Sequence, residues 1–350
     1  MKQLYLKYFK YIAILFELLL FKYFIYNINK ISSISNSNWK NNKSKFIIYI
    51  QNRIFKLLKR NITKINTIYI KSRMRFGNYF ISLNNAIIFC EFLSCKRIII
   101  RNHRYLIKHK IFYKKYNLTI QPDYSFNNTD NNSMIINSVF FFGDLNFTDL
   151  GKVNRFYIFR NEIINNLPKV KINSNDLFIF MRGGDIFSRK NVCIYYYQPP
   201  LCFYKRVLEK FVFRKVIIIS EDKSNPILSI LLKEYSYIKY NRNTIKLDFS
   251  YLLNSYNIIS GMSSFLASII KLNQNLKFLR EYDFYEIIIR YKFLHYSVYA
   301  FPFNYTIYKM NPSEKYKKLM YPFYNSEEQQ KVMKEEKCEN NFQAIPPKIS

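Results

Sequence analysis

Leu177-Phe178-Ile179-Phe180-Met181-Arg182-Gly183-Gly184-Asp185 is the stretch on which the reading of this chain turns. An apolar, strand-like run ends in an arginine, a glycine pair and an aspartate. The chain holds only 6 glycines in 350 residues. Two together at a strand exit therefore mark a backbone that needs positive φ or close approach to another group. The arginine beside them carries a planar fork of donors suited to a phosphate. A surface turn closed by an Arg-Asp pair explains the same residues, and this segment alone does not separate the two readings.

Its neighbours in the sequence do more. Val216-Ile217-Ile218-Ile219 reads as a buried strand ending at Ser220-Glu221-Asp222, and Asn257-Ile258-Ile259-Ser260-Gly261 as another that runs into Met262-Ser263-Ser264-Phe265. Between them, Pro199-Pro200 opens a helix through Phe203, Val207, Leu208 and Phe211, and a second helix covers 226–232. Upstream, Thr67-Ile68-Tyr69-Ile70 is a strand. It is followed by Arg73-Met74-Arg75-Phe76-Gly77-Asn78 and a helical face of Leu83, Ala86, Ile87, Cys90 and Leu93. Arg97-Ile98-Ile99-Ile100 is the next strand, 123–137 an Asn/Asp-rich loop, and 139–142 a further buried strand. Alternating strands and helices predict an α/β chain with open, parallel sheets, in which ligands bind outside the carboxyl ends of the strands. Three such ends here are polar: Arg182 to Asp185, Ser220 to Asp222, and Gly261 to Ser264. The serine pair fits either a phosphate at a helix start or a plain helix cap.

Composition bounds the rest. With 49% hydrophobic residues, 33 Phe and 32 Tyr, the chain can bury a sizeable core and is not of disordered type. A formal charge of +32 invites a polyanion partner. The lysines are dispersed instead of gathered into a footprint, so no specific nucleic-acid partner is expected. Five cysteines without a Cys-x-x-Cys pair and three histidines give no metal signature. Cys193 and Cys202 fit a loop disulfide or two buried thiols equally well.

At the amino terminus an apolar run over 11–26, interrupted by Glu17 and Lys22, follows basic residues. It reads as an uncleaved membrane anchor despite a central carboxylate that costs roughly 2.5–3.5 kcal/mol to insert. An amphipathic first helix is the alternative. The sequons at Asn61, Asn117, Asn146 and Asn304 fit a secretory location but arise readily by chance in so Asn-rich a chain.

The ordered set of motifs resembles the fucosyltransferase superfamily that contains α1,2-, α1,6- and protein O-fucosyltransferases. Phe180-Met181-Arg182-Gly183-Gly184-Asp185 is similar to that family's His-x-Arg-x-Gly-Asp element. Arg75-Phe76-Gly77-Asn78 resembles its glycine-asparagine turn before a long helix, and Asp248 with Ser263-Ser264-Phe265 its last nucleotide motif. The likeness spans roughly 73–270 and departs at Phe180, where the family has histidine; phenylalanine neither donates nor accepts a hydrogen bond.

The resemblance implies two Rossmann-like domains in a GT-B-like arrangement, with a nucleotide-sugar donor and metal-independent, inverting transfer. Fucose from GDP-fucose would pass to a glycan or glycoprotein hydroxyl, with no cofactor. Arg182 would hold the diphosphate, with Phe180, Gly184, Ser263, Ser264 and the Phe265 amide around the donor. Asp248 and Asp222 would accept from base or ribose, and Arg75, Gly77 and Asn78 would face the acceptor. Asp185 and Glu221 are the candidate general bases. The domains read as anchor 1–28, stem 29–65, acceptor-side domain 66–165, nucleotide domain 166–290 and extension 291–350. Within the extension, 316–336 is expected as a helix returning over the first domain. The implied location is a single-pass type II membrane protein of the Golgi or ER. Alternatives are a transferase of another nucleotide sugar, an inactive pseudoenzyme, or a basic nucleic-acid- or membrane-surface-binding protein.

Overall fold

Residues 65–70, 76–101, 109–123, 133–136, 157–188, 198–261, 263–282, 305–339 and 341–347 are described by a computed structural model. The apolar run 11–26, nearly all of the stem, Arg73, Arg75, the strand expected at 139–142 and Cys193 lie outside the described residues. No helix among the described residues is long and apolar enough to cross a membrane.

The first sheet begins with β1 (Thr67–Ile70), whose β-branched and aromatic residues are all buried. An 18-residue helix, α1 (Phe76–Leu93), leads to β2 (Arg97–Arg101). Then come β3 (Ile111–Tyr113), β4 (Leu118–Asp123) and β5 (Ser133–Ile136). The spatial order is β3-β4-β2-β1-β5, parallel except for β3. Counting parallel strands alone, this is the 3-2-1-4 order of a Rossmann-type half. The end of α1 is closed by a Cys90–Cys95 disulfide, Cα to Cα 4.9 Å, with Ser94 between them at φ 57°.

After α2 (Tyr157–Asn165) the second sheet follows the same logic at greater length. Its elements are β6 (Asp176–Phe180), α3 (Asp185–Ser188), α4 (Leu201–Lys210), β7 (Lys215–Ile219), α5 (Pro226–Glu234), β8 (Ile238–Asn241), α6 (Ile245–Asn254), β9 (Asn257–Ser260), α7 (Ser264–Ile270), β10 (Phe278–Tyr282), β11 (Thr306–Met310), α8 (Glu314–Met320), α9 (Glu327–Glu335) and β12 (Gln343–Ile345). The order β12-β11-β10-β9-β6-β7-β8 is parallel throughout except for β12. Read along the six parallel strands it is the doubly wound order, reversing direction between β6 and β9. Both sheets belong to one compact unit, 59–350.

The apolar runs become strands because parallel strands are covered on both faces. Leu177, Ile179, Met181, Val216 and Ile218 face α4, α5 and the C-terminal helices in one continuous core. Phe178 and Phe180 point to the other face, against Tyr251 of α6 and Phe265 of α7 (ring centroids 5.5 and 5.8 Å). Each fully buried isoleucine or phenylalanine here contributes about 1.5–3 kcal/mol. The first half reaches this second face through Phe80, stacked on Phe249 at 6.0 Å, and through Ser268, whose hydroxyl donates to the Gly77 carbonyl at 3.2 Å.

Two expectations about the end of the chain are corrected. Residues 316–336 are not one helix: α8 stops at Met320 and α9 starts at Glu327, because Pro322 cannot continue the hydrogen-bond ladder and Ser326 caps a new start in a capping box. Nor does this segment return to the first sheet. Tyr316, Met320, Phe323 and Met333 enter the core of the second, and β11 and β12 extend that sheet. The partner of Cys202 is Cys338, Cα to Cα 5.6 Å, in place of the Cys193 considered from sequence.

A cation is buried against this core. Arg280 on β10 is 2% exposed, and its guanidinium sits 4.3 Å from the Phe211 ring centroid and 5.0 Å from Phe213, with Phe278 and Tyr308 also in reach. Burial lowers its pKa to about 10, against an opposing pull from Tyr308. Rings with negative faces substitute here for the missing anion.

Candidate functional site

Four neighbouring strands, β9, β6, β7 and β8, deliver their carboxyl ends side by side, and the reversal of strand order lies between the first two. At the exit of β6 the chain turns through Gly183 and Gly184. Gly184 adopts φ 58°, a left-handed conformation that glycine alone takes without cost. Both glycines also face crowding from the exit of β7. A Cβ on Gly183 would stand 2.6 Å from Asp222 Oδ1 and 2.9 Å from the Ser220 hydroxyl; one on Gly184 would stand 2.6 Å from Glu221 Oε2. The third glycine, Gly261 at the exit of β9, would place a Cβ 2.8 Å from the Phe180 carbonyl. Three of the chain's 6 glycines thus serve one purpose, the close approach of three strand ends.

Asp222 staples these exits. Its Oδ1 accepts from the Gly184 amide at 3.0 Å and the Ser224 amide at 2.9 Å, and from the Ser224 hydroxyl at 2.5 Å. Burial pushes this carboxyl up, but the Ser224 and Gly184 hydrogen bonds and nearby Arg242 outweigh it, so the net shift is downward. Asn225 completes the staple. Its amide donates to the Arg182 carbonyl at 3.0 Å while its oxygen caps α5 by accepting from Ile227 at 3.0 Å. Asn225 and Ser224 were not picked out from sequence, although Asn before Pro at a helix start is a readable cap signal.

Arg182 and Asp185 do form the ion pair that the turn reading anticipates, at 3.1 Å, yet it is no loose surface pair: the two side chains are 13% and 22% exposed. The pairing makes Asp185 an orienting partner of Arg182. Glu221 is exposed beside Gly184. Among the described residues no cluster of three or more His, Cys, Asp or Glu could hold a metal.

At the exit of β9 the Ser263 hydroxyl accepts from the Phe265 amide at 3.1 Å, the helix-cap arrangement. The Phe265 amide expected to meet a phosphate is thus already engaged. Ser264 is the first residue of α7. Phe180 is 7% exposed and lies against Phe265 within the core.

Asp248 lies in the first turn of α6, beyond β8, and accepts from Asn243 at 3.0 Å. Burial raises its pKa to about 6, only partly offset by that hydrogen bond. Asp222, Arg242 and Asp248 all act electrostatically on Tyr240, so they share one polar corner at the β7–β8 end. Gly77 and Asn78 fall inside the first turn of α1 instead of in a turn before it, and the Gly77 carbonyl is held by Ser268 of α7.

No known protein family, curated protein or solved structure matches this chain. Sequence motifs and the geometry above are therefore what a functional reading rests on. The row of exits sorts the expected residues into two groups. Arg182, Gly184, Asp185 and Asp222 are held together by direct bonds, whereas Ser263 and Asp248 flank them on opposite sides.

Proposed function

We propose that the chain is a glycosyltransferase that binds a nucleotide sugar across the carboxyl ends of β9, β6, β7 and β8. The observation that carries this reading is the reversal of strand order between β6 and β9, flanked by the Arg182-Gly183-Gly184 turn and the Gly261 turn. Open α/β sheets bind ligands in that crevice. Three strand spacings of about 4.8 Å separate β9 from β8, an overall span of roughly 14 Å. A nucleoside diphosphate lying along the row would put its diphosphate at Arg182 and Ser263 and its nucleoside toward Asp222 and Asp248.

In this reading the donor is GDP-fucose, as the motif order implies. The two parallel sheets act as the two halves of a GT-B-like enzyme, with the α1 start, Gly77 and Asn78, on the acceptor side. Arg182, oriented by Asp185, neutralises charge that develops on the leaving diphosphate. Glu221, exposed beside Gly184, is the better placed of the two candidate bases, since Asp185 is committed to Arg182. The Cys90–Cys95 and Cys202–Cys338 disulfides support a location in an oxidising secretory compartment.

Calorimetric titration of the purified protein with GDP, UDP and ADP tests the donor, followed by GDP-fucose turnover with and without glycan acceptors. GDP is expected to bind and the other two to bind more weakly. Absence of binding by all three nucleotides would remove the transferase reading. Binding without any hydrolysis or transfer would favour the pseudoenzyme, which the loss of histidine at Phe180 specifically allows.

A further inference from the structure

The C-terminal segment touches the candidate site from behind at three points. Asn325, at φ 56°, donates through its side-chain amide to the Phe187 carbonyl at 3.0 Å and accepts from Gln330 at 2.9 Å. Phe187 is tied in turn to the glycine turn: its amide donates to the Gly184 carbonyl at 3.1 Å, and the next amide, Ser188, does so at 2.9 Å. The Tyr316 hydroxyl donates to the Gln198 carbonyl at 2.7 Å in a fully buried setting. The Gln198 side chain then reaches the Gly261 turn, 3.7 Å from where a Cβ there would stand. Cys338 is bonded to Cys202 in the first turn of α4, four residues after Gln198.

The segment making these contacts is itself rigidly knit. The buried Gln329 side chain donates to the Leu319 and Pro322 carbonyls and accepts from the Tyr324 and Ser326 amides. The Ser313 hydroxyl donates to Glu336 at 2.6 Å, joining the start of α8 to the end of α9. The buried Gln329 amide, with both donors and its acceptor engaged, holds one arrangement.

We infer that α8, α9 and their connection form a positioning brace for the nucleotide-binding turns, with Asn325 setting α3 behind Arg182 and Asp185 and Tyr316 setting Gln198 behind Gly261. Neither residue touches the donor; each acts through a backbone carbonyl at the edge of the site. The inference uses the proposed nucleotide site as its readout, and its test separates the two.

Asn325→Asp tolerates positive φ and still accepts from Gln330 but cannot donate to Phe187; Asn325→Gly removes both bonds; Tyr316→Phe removes one hydroxyl and keeps the ring. Each is measured for GDP affinity, for thermal midpoint and for hydrogen exchange of peptides covering 181–188 and 198–204. GDP affinity is expected to fall about 5- to 10-fold, matching the loss of one buried hydrogen bond. Exchange should rise in the first peptide for the Asn325 variants and in the second for Tyr316→Phe. Lowered thermal midpoints with unchanged exchange in both peptides would overturn the brace. So would accelerated exchange with undiminished GDP affinity. Should the parent protein bind no GDP, the GDP-fucose reading falls, and the exchange of the two peptides still decides whether the segment holds these turns.

Discussion

The two sheets are built from the same strand–helix unit in the same winding order, but they spend their polar residues differently. In the first, a Cys90–Cys95 bridge spans 5 residues and closes the end of α1 beside Ser94. In the second, Asp222 and Asn225 reach across 38 and 43 residues to fasten the exits of β6 and β7, and Cys202–Cys338 ties α4 to the C-terminal segment across 136. Long-range polar fastening at strand exits costs chain entropy and burial of hydrogen-bonding groups. That cost falls at the strand exits proposed to hold the nucleotide.

The disulfides give the widest separation between the halves. Loop-closure entropy alone predicts a loss of about 5 kcal/mol for Cys202→Ser and about 2 kcal/mol for Cys90→Ser. Urea unfolding of the two variants checks it, and equal losses would erase the contrast. Next comes Arg182→Ala, expected to weaken GDP binding by about 100-fold, in line with removal of a charged, buried phosphate partner. Calorimetry beside a near-ultraviolet circular dichroism spectrum distinguishes lost binding from lost fold.

Gly261→Ala should destabilise by about 2 kcal/mol, since its Cβ would meet a backbone carbonyl that has no freedom to move. A matching alanine at Gly77, in the first turn of α1, is expected to cost less, because alanine favours the helical backbone that glycine disfavours. Thermal melts of both variants sharpen the difference between a glycine in a helix and one at a strand crossing.

The smallest effect concerns two carboxylates of the second sheet with opposite shifts. Asp248, raised to about 6, takes up its proton earlier in the folded state than in the unfolded chain. Stability therefore declines as pH rises from about 4 to about 6, and Asp248→Asn should gain about 1 kcal/mol above that window and nothing below it. Asp222 is lowered, so its contribution is present above the ordinary carboxylate range and lost as pH falls through its folded value. Stability profiles of Asp222→Asn and Asp248→Asn that bend in the same direction would show this pairing of opposites to be wrong.

The apolar strands β1, β2, β6, β7 and β9 were legible because buried parallel strands are uninterrupted runs of Val, Ile, Phe and Leu. So was the Arg182 turn, since glycine is rare enough here for a pair to signify. What escaped was whatever depends on a distant partner. β10 carries Arg280 and Glu281, and only the rings of Phe211, Phe213, Phe278 and Tyr308 make that sequence a core strand. The helical break at Pro322 was visible in principle, but the apolar periodicity on either side of it masked the stop. Asn225 was invisible as a site residue because its second bond runs to Arg182, 43 positions away. Ser263-Ser264 fits either a cap or a phosphate site from sequence, and Ser263 does cap the Phe265 amide.

Arg280 has one further consequence. Side chains alternate between the faces of a strand, so sliding β10 by a single residue along β9 would turn the guanidinium away from its four rings and onto the opposite face of the sheet. A chain so rich in interchangeable isoleucines has few ways to tell one alignment of its strands from the next. A buried cation that only one alignment can solvate works as an index mark, making the misaligned sheet the costly one.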